Sequence, residues 1–188
     1  MRKYFFFVVI AVLFSTGASW AQGHLNAAEM EEAFKIAERC GSLEELAEQL
    51  DLRIHYFNEI QIRGPIQKVA VDVFLRRQEA KKEYREYKRS DVPTTSLSRR
   101  TVFVYVGTFF NLREGLTKDI VVLRLNRGKE VGDPIRPLHK ETAGASISAE
   151  FDNDKFPRDS DIRVVVIMAG SRSNRTFDIK QKYLISLR

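Results

Sequence analysis

The chain has 188 residues, 44% of them hydrophobic and 30% charged, with a net charge of +6 and a single cysteine. One cysteine excludes a disulfide framework within the monomer, so stability has to come from a buried core. The modest excess of positive charge is too small to define a partner by itself.

The N-terminus carries Arg2 and Lys3, then an unbroken apolar run over residues 4–14, then a small and polar stretch ending Ser19-Trp20-Ala21. That is the three-part layout of a secretory signal peptide, with small residues where a signal peptidase needs them. Residues 1–21 are therefore read as a leader, cut between Ala21 and Gln22, and the protein is expected in the periplasm or outside the cell. An uncleaved membrane anchor is the alternative, since the apolar run is near the lower end of what spans a bilayer. Cleavage removes Arg2 and Lys3 and lowers the net charge from +6 to +4.

Residues 22–90 read as a helical segment. Met30, Ala33, Phe34, Ala37 and Cys40 recur at the three-and-four spacing of one helical face, and Gly41 supplies a stop. Ser42 with Glu45 three residues on is a capping box, so a second short helix follows with Leu43, Leu46, Ala47 and Leu50 inward. The stretch 52–62 alternates like a strand but is flanked by helical composition, and is assigned to helix. Gly64-Pro65 is a break with proline in a favourable first-turn position. A long helix is expected from there towards Arg89, with Ile66, Val69, Ala70, Val73, Phe74, Ala80, Tyr84 and Tyr87 on its apolar face.

Charge divides this segment. Eight acidic residues face two basic ones between Glu29 and Asp51, whereas eleven basic residues face five acidic ones between Arg63 and Arg100. The plain reading is that the helices pack with complementary charged rims. The sharper one is that Arg76, Arg77, Lys81, Lys82, Arg85, Lys88 and Arg89 meet an anionic lipid or polymer. A helix-turn-helix reading of residues 42–60 is set aside, because its acidic surroundings would repel phosphates and no nucleic-acid partner is expected.

Residues 91–99 are a Ser-, Thr- and Pro-rich linker. Beyond them the period changes to two, and 100–188 read as an antiparallel, immunoglobulin-like β-sandwich. The stretch 101–110 is apolar on both faces and should be a central strand covered on each side. Within 120–125, Val121, Leu123 and Leu125 are taken as inward. Segments at 145–151, 162–169, 175–180 and 183–187 follow as strands, while 131–138, broken by Pro134 and Pro137, is an edge strand or loop. The fold class is thus α+β: a helical hairpin and a long helix, then a sandwich.

Chemistry is sparse. His24, His55 and His139 are scattered without metal-ligand spacing, Gly144 to Ser148 lacks the closing glycine of a nucleophile elbow, and there is no glycine-rich phosphate loop. No catalytic residue is assigned and no cofactor is required. The densest group of oxygen ligands is Asp152, Asp154, Asp159 and Asp161, which could gather around calcium and which equally suits a solvated turn. Asn174-Arg175-Thr176 is a glycosylation sequon in a cell that glycosylates. The expected function is that of an exported non-catalytic envelope protein acting through interaction or self-association. The alternative is a module that binds calcium or carbohydrate at the sandwich loops.

Overall fold

The computed structural model describes residues 23–52, 60–93, 99–107, 116–144, 146–169 and 174–187. Residues 1–21, expected as a leader, and 94–98 of the expected linker lie outside the described residues. Among the described residues the fold is α+β, with three α-helices and two antiparallel four-stranded sheets. The helices are α1 (Ala27–Arg39), α2 (Leu43–Gln49) and α3 (Pro65–Lys82). The strands are β1 (Ile60–Arg63), β2 (Thr101–Val106), β3 (Leu116–Asn126), β4 (Lys129–Ile135), β5 (His139–Ala143), β6 (Ser146–Asp152), β7 (Asp161–Ala169) and β8 (Arg175–Ile179). One sheet has the order β1-β2-β6-β5 and the other β4-β3-β7-β8.

Local chemistry starts and stops these elements. Asn26 caps α1 through a complete capping box: its Oδ1 accepts from the Glu29 amide at 2.9 Å while its own amide donates to Glu29 Oε2 at 2.9 Å. Ser42 Oγ accepts from the Glu45 amide at 3.1 Å, but the Glu45 carboxylate takes the Gly41 amide instead of closing the box on Ser42. Between β3 and β4, Arg127 (φ 50°) and Gly128 (φ 80°) form a two-residue turn with both centres left-handed, the type that matches strand twist.

Two apolar cores result. The first lies between the sheets, built from Ile60 and Ile62 on β1, the three valines of β2, Phe151 on β6, and Ile162, Val164 and Val166 on β7. The second joins the helices through Ala33, Phe34, Ala37, Leu46, Val69, Val73 and Phe74. Helix α3 lies against β2. β2 is therefore central within its sheet, with its three valines turned to the other sheet and helix on the opposite side, as its two apolar faces require.

Several expectations change. The end of 52–62 is a strand: Ile60–Arg63 pairs with β2, burying Ile60 and Ile62, so alternation outweighs the helical composition around it. Residues 53–59 lie outside the described set. Helix α3 ends at Lys82, short of Arg89, because Tyr84 turns left-handed (φ 54°). On β3 it is Ile120 and Val122 that enter the inter-sheet core, one residue out of phase with the predicted set; the run is apolar on both faces and register shifts flank it, so sequence parity did not fix the side. Residues 183–187 form no strand: a 3-10 turn at Gln181–Tyr183 drops Leu184 and Leu187 into the core. Strand β5 has no counterpart in the predicted set, since all five of its residues are exposed and no alternation marks it. Strand β4 is an edge strand containing Pro134.

Candidate functional site

The basic half of α3 and the turn after it hold all seven cations singled out for an anionic surface. All four arginines are already engaged. Arg76 Nε pairs with Asp72 Oδ2 at 2.7 Å, one helical turn away. Arg77 Nη1 donates to the carbonyls of Ala37 and Cys40, satisfying the open C-terminal end of α1. Arg85 bridges Glu83 and Asp91, each at 2.7 Å. Arg89 grips both oxygens of Glu38 and one of Glu31 at 2.7 Å while its guanidinium lies 4.9 Å from the Phe34 ring centre. Hydrogen bonding to Glu38 raises the Arg89 pKa, and the same contact lowers that of Glu38. These pairs favour the complementary-rim reading. Lys81 and Lys82 are exposed and form no ion pair among the described residues.

Where α1 ends beside the end of α3, these side chains wall a cleft of about 350 Å³. Arg77, Gln78 and Lys81 come from α3, Arg85 and Tyr87 from the segment after it, and Cys40 closes the α1 side. No carboxylate lines this cleft. Cys40 is buried and free, its thiol pKa raised by desolvation, in keeping with a small apolar role. The Tyr87 phenol oxygen is buried with no hydrogen-bond partner. Burial pushes the Tyr87 pKa up, which keeps it an O–H donor at neutral pH. Sequence reading put Tyr87 on the buried face of a longer helix; an aromatic hydroxyl within a run of cations was the signal available for it.

The four aspartates of the second candidate cluster are held by separate partners, Asp154 Oδ1 accepting from Asn153 Nδ2 at 3.4 Å. Asp152 Oδ1 accepts from the Asp154 amide at 3.0 Å, and its Oδ2 lies 3.7 Å from Lys155. Asp159 faces Arg124 at 3.9 Å. Asp161 takes Lys180 Nζ and the Gln181 amide, both at 2.8 Å, and the lysine lowers its pKa. Between them Phe156 plugs the sheet core, its ring 5.9 Å from that of Phe151. The loop therefore works as a plug with solvated turns at its ends, and these ion pairs weigh against a shared cation. Among the described residues, no three His, Cys, Asp or Glu side chains converge as metal ligands.

A third polar cluster lies at the joint between helices and sheet. Lys68 on α3 is buried, and its Nζ donates to Thr101 Oγ1 at 2.9 Å and Glu150 Oε1 at 3.2 Å. Desolvation lowers its pKa, against the pull of Glu150. Its neighbour Gln67 accepts from the Gly64 amide at 2.7 Å and donates to the carbonyls of Leu50 at 2.7 Å and Ser186 at 3.3 Å. These groups find their partners within the protein, so the cluster ties the helices to the sheet. Compared with protein families, curated proteins and solved structures, the chain matches none.

Proposed function

We propose that the protein is an exported, non-catalytic interaction module, delivered across a membrane by residues 1–21, whose two sheets form an immunoglobulin-like sandwich. Strand order supports the architecture. Lettered in chain order A, B, C, C′, D, E, F, G, the sheets run A-B-E-D and C′-C-F-G, which combines the two sheet patterns of immunoglobulin domains. Helix α3 enters between the first two strands. Such an architecture brings no activity with it, so function rests on the surface.

The observation that carries the interaction reading is the wall formed by β4, β5 and the connection between them. Each is the outermost strand of its own sheet, β5 is exposed throughout, and Leu138 between them is 66% exposed. A groove of about 350 Å³ lined by Asp119, Arg136, Pro137, Leu138, His139 and Lys140 runs beside it. Unpaired strand edges next to an exposed apolar side chain are the features a protein partner engages. A photo-crosslinking residue at Leu138 should capture a discrete protein adduct in the native cell, while one at Tyr84, 99% exposed on the helical side, should not. Mass spectrometry of the recovered protein should find Gln22 as the first residue. Recovery from the cytoplasm with residues 1–21 intact, or identical labelling from both positions, would overturn the proposal.

A further inference from the structure

We infer that the cleft between the ends of α1 and α3 is a binding site for a phosphate-type oxyanion, held by Arg77, Gln78, Lys81, Arg85 and Tyr87. The first ground is the chemistry of the lining: these five side chains supply guanidinium, amide, ammonium and hydroxyl donors, and the nearby carboxylates of Glu83, Asp91 and Glu45 bond to Arg85 and to the Gly41 amide without themselves lining the cleft. The second is pre-organisation. Arg85 is fixed from outside by Glu83 and Asp91, through Nε and Nη1, and Arg77 is fixed by the carbonyls of Ala37 and Cys40, both through Nη1. Both guanidiniums are thus held at the cleft before any ligand arrives, which lowers the ordering cost of binding. Those same bonds from Arg77 mask the carbonyls at the end of α1, which would otherwise repel an anion.

The third ground is Tyr87. Its hydroxyl is buried with no acceptor among the described residues, which costs stability in the folded protein. That hydroxyl is closed to solvent as it stands, so a small turn of the Tyr87 side chain lets an oxyanion in the cleft accept from it, while Lys81, which makes no ion pair among the described residues, gains a counter-charge. Phosphate suits this set better than a carboxylate, because its oxygens point in several directions and arginine meets phosphate with paired donors. The cleft is roomier than inorganic phosphate needs, so the natural ligand is an organic phosphate, either a soluble ester or the headgroup of an anionic lipid.

Titration of the full chain with inorganic phosphate, at constant ionic strength set with chloride and followed by amide chemical shifts, tests the site directly. Saturable shifts are expected at Arg77, Gln78 and Lys81. Lys81→Gln should weaken binding about tenfold, the loss of one charge-assisted contact. Tyr87→Phe should weaken it about threefold or more while leaving thermal stability unchanged or raised, since it deletes an unpaired hydroxyl. A purely structural tyrosine would give the opposite pattern. A second arm sediments the protein with phosphatidylcholine vesicles with and without phosphatidate. Phosphatidate-dependent sedimentation reduced by both substitutions marks the ligand as a lipid headgroup; saturable phosphate binding without it marks a soluble ester. Absence of saturable phosphate binding at millimolar concentration, or binding that both variants retain, would overturn the assignment.

Discussion

Lys68 brings a cation into a site that is 93% hidden from water, and only a small part of its surroundings answers the charge. Glu150, Thr101 and, at 3.4 Å, the Arg99 carbonyl supply three acceptors, and the lowered pKa says that desolvation outweighs them. The consequence for stability has a definite sign. Above the depressed folded-state pKa the folded protein releases this proton, while the unfolded chain holds it up to the ordinary lysine value near 10.4. Through that window the unfolded state binds more protons, so Lys68 makes stability rise with pH. Lys68→Met should abolish the rise in that alkaline range. At neutral pH the same substitution should cost about 2–4 kcal/mol, because it strands Glu150, which is four-fifths buried. Adding Glu150→Gln should recover part of the loss. Denaturant midpoints across pH for the single and double variants check both statements, and full additivity would show that the pair does not interact.

Helix α3 ends on a left-handed tyrosine. Tyr84 donates its amide to the Lys81 carbonyl at 3.2 Å, and the Arg85 amide reaches the Ala80 carbonyl at 3.0 Å, the paired bonds of a Schellman ending. A side chain at φ 54° crowds its own backbone, and glycine is the usual occupant. Because the Tyr84 side chain is almost wholly exposed, nothing is lost on removing it. Tyr84→Gly should therefore stabilise by about 1 kcal/mol, a rise in melting temperature of about 3 °C, whereas Tyr84→Ala should not. This ending also explains a limit of sequence reading. Without a glycine at Tyr84, periodicity runs on through Tyr87, and the true stop is visible only in the backbone. Helix α1 was legible because apolar spacing marks its buried face, α2 from its Ser42 cap and Leu46 although Leu43, read as inward, is 51% exposed, and β2 and β7 because runs of valine and isoleucine mark buried strands. Strand β5 and the closing turn at Gln181–Tyr183 were not: one is exposed on both faces, and the other buries two leucines without extended pairing.

At the scale of the whole molecule, the change of hydrophobic period near residue 100 divides the sequence more sharply than the structure divides the chain. Composition placed the basic residues together but could not tell which cations would be neutralised, since the answer lies in Glu31, Glu38 and Asp91 brought near by folding. Nor could it show that Ile60 and Ile62, reached before α3, belong to the sheet core. Those two residues make α3 an insertion between adjacent strands, tied in by Lys68 to Thr101 and Glu150 and by Gln67 to Ser186. A fragment starting at residue 99 would lose two core isoleucines at about 2–5 kcal/mol each and expose an unpaired edge on β2. Against a typical domain stability of about 5–15 kcal/mol, that loss is decisive. The fragment should therefore bind a hydrophobic dye and melt without a cooperative transition, while the full chain should lose far-ultraviolet and near-ultraviolet dichroism at one temperature. A fragment that melts cooperatively near the temperature of the full chain would show that β1 and the helices are dispensable to the sheets, and that the joint at Gln67 and Lys68 transmits no stability between the two cores.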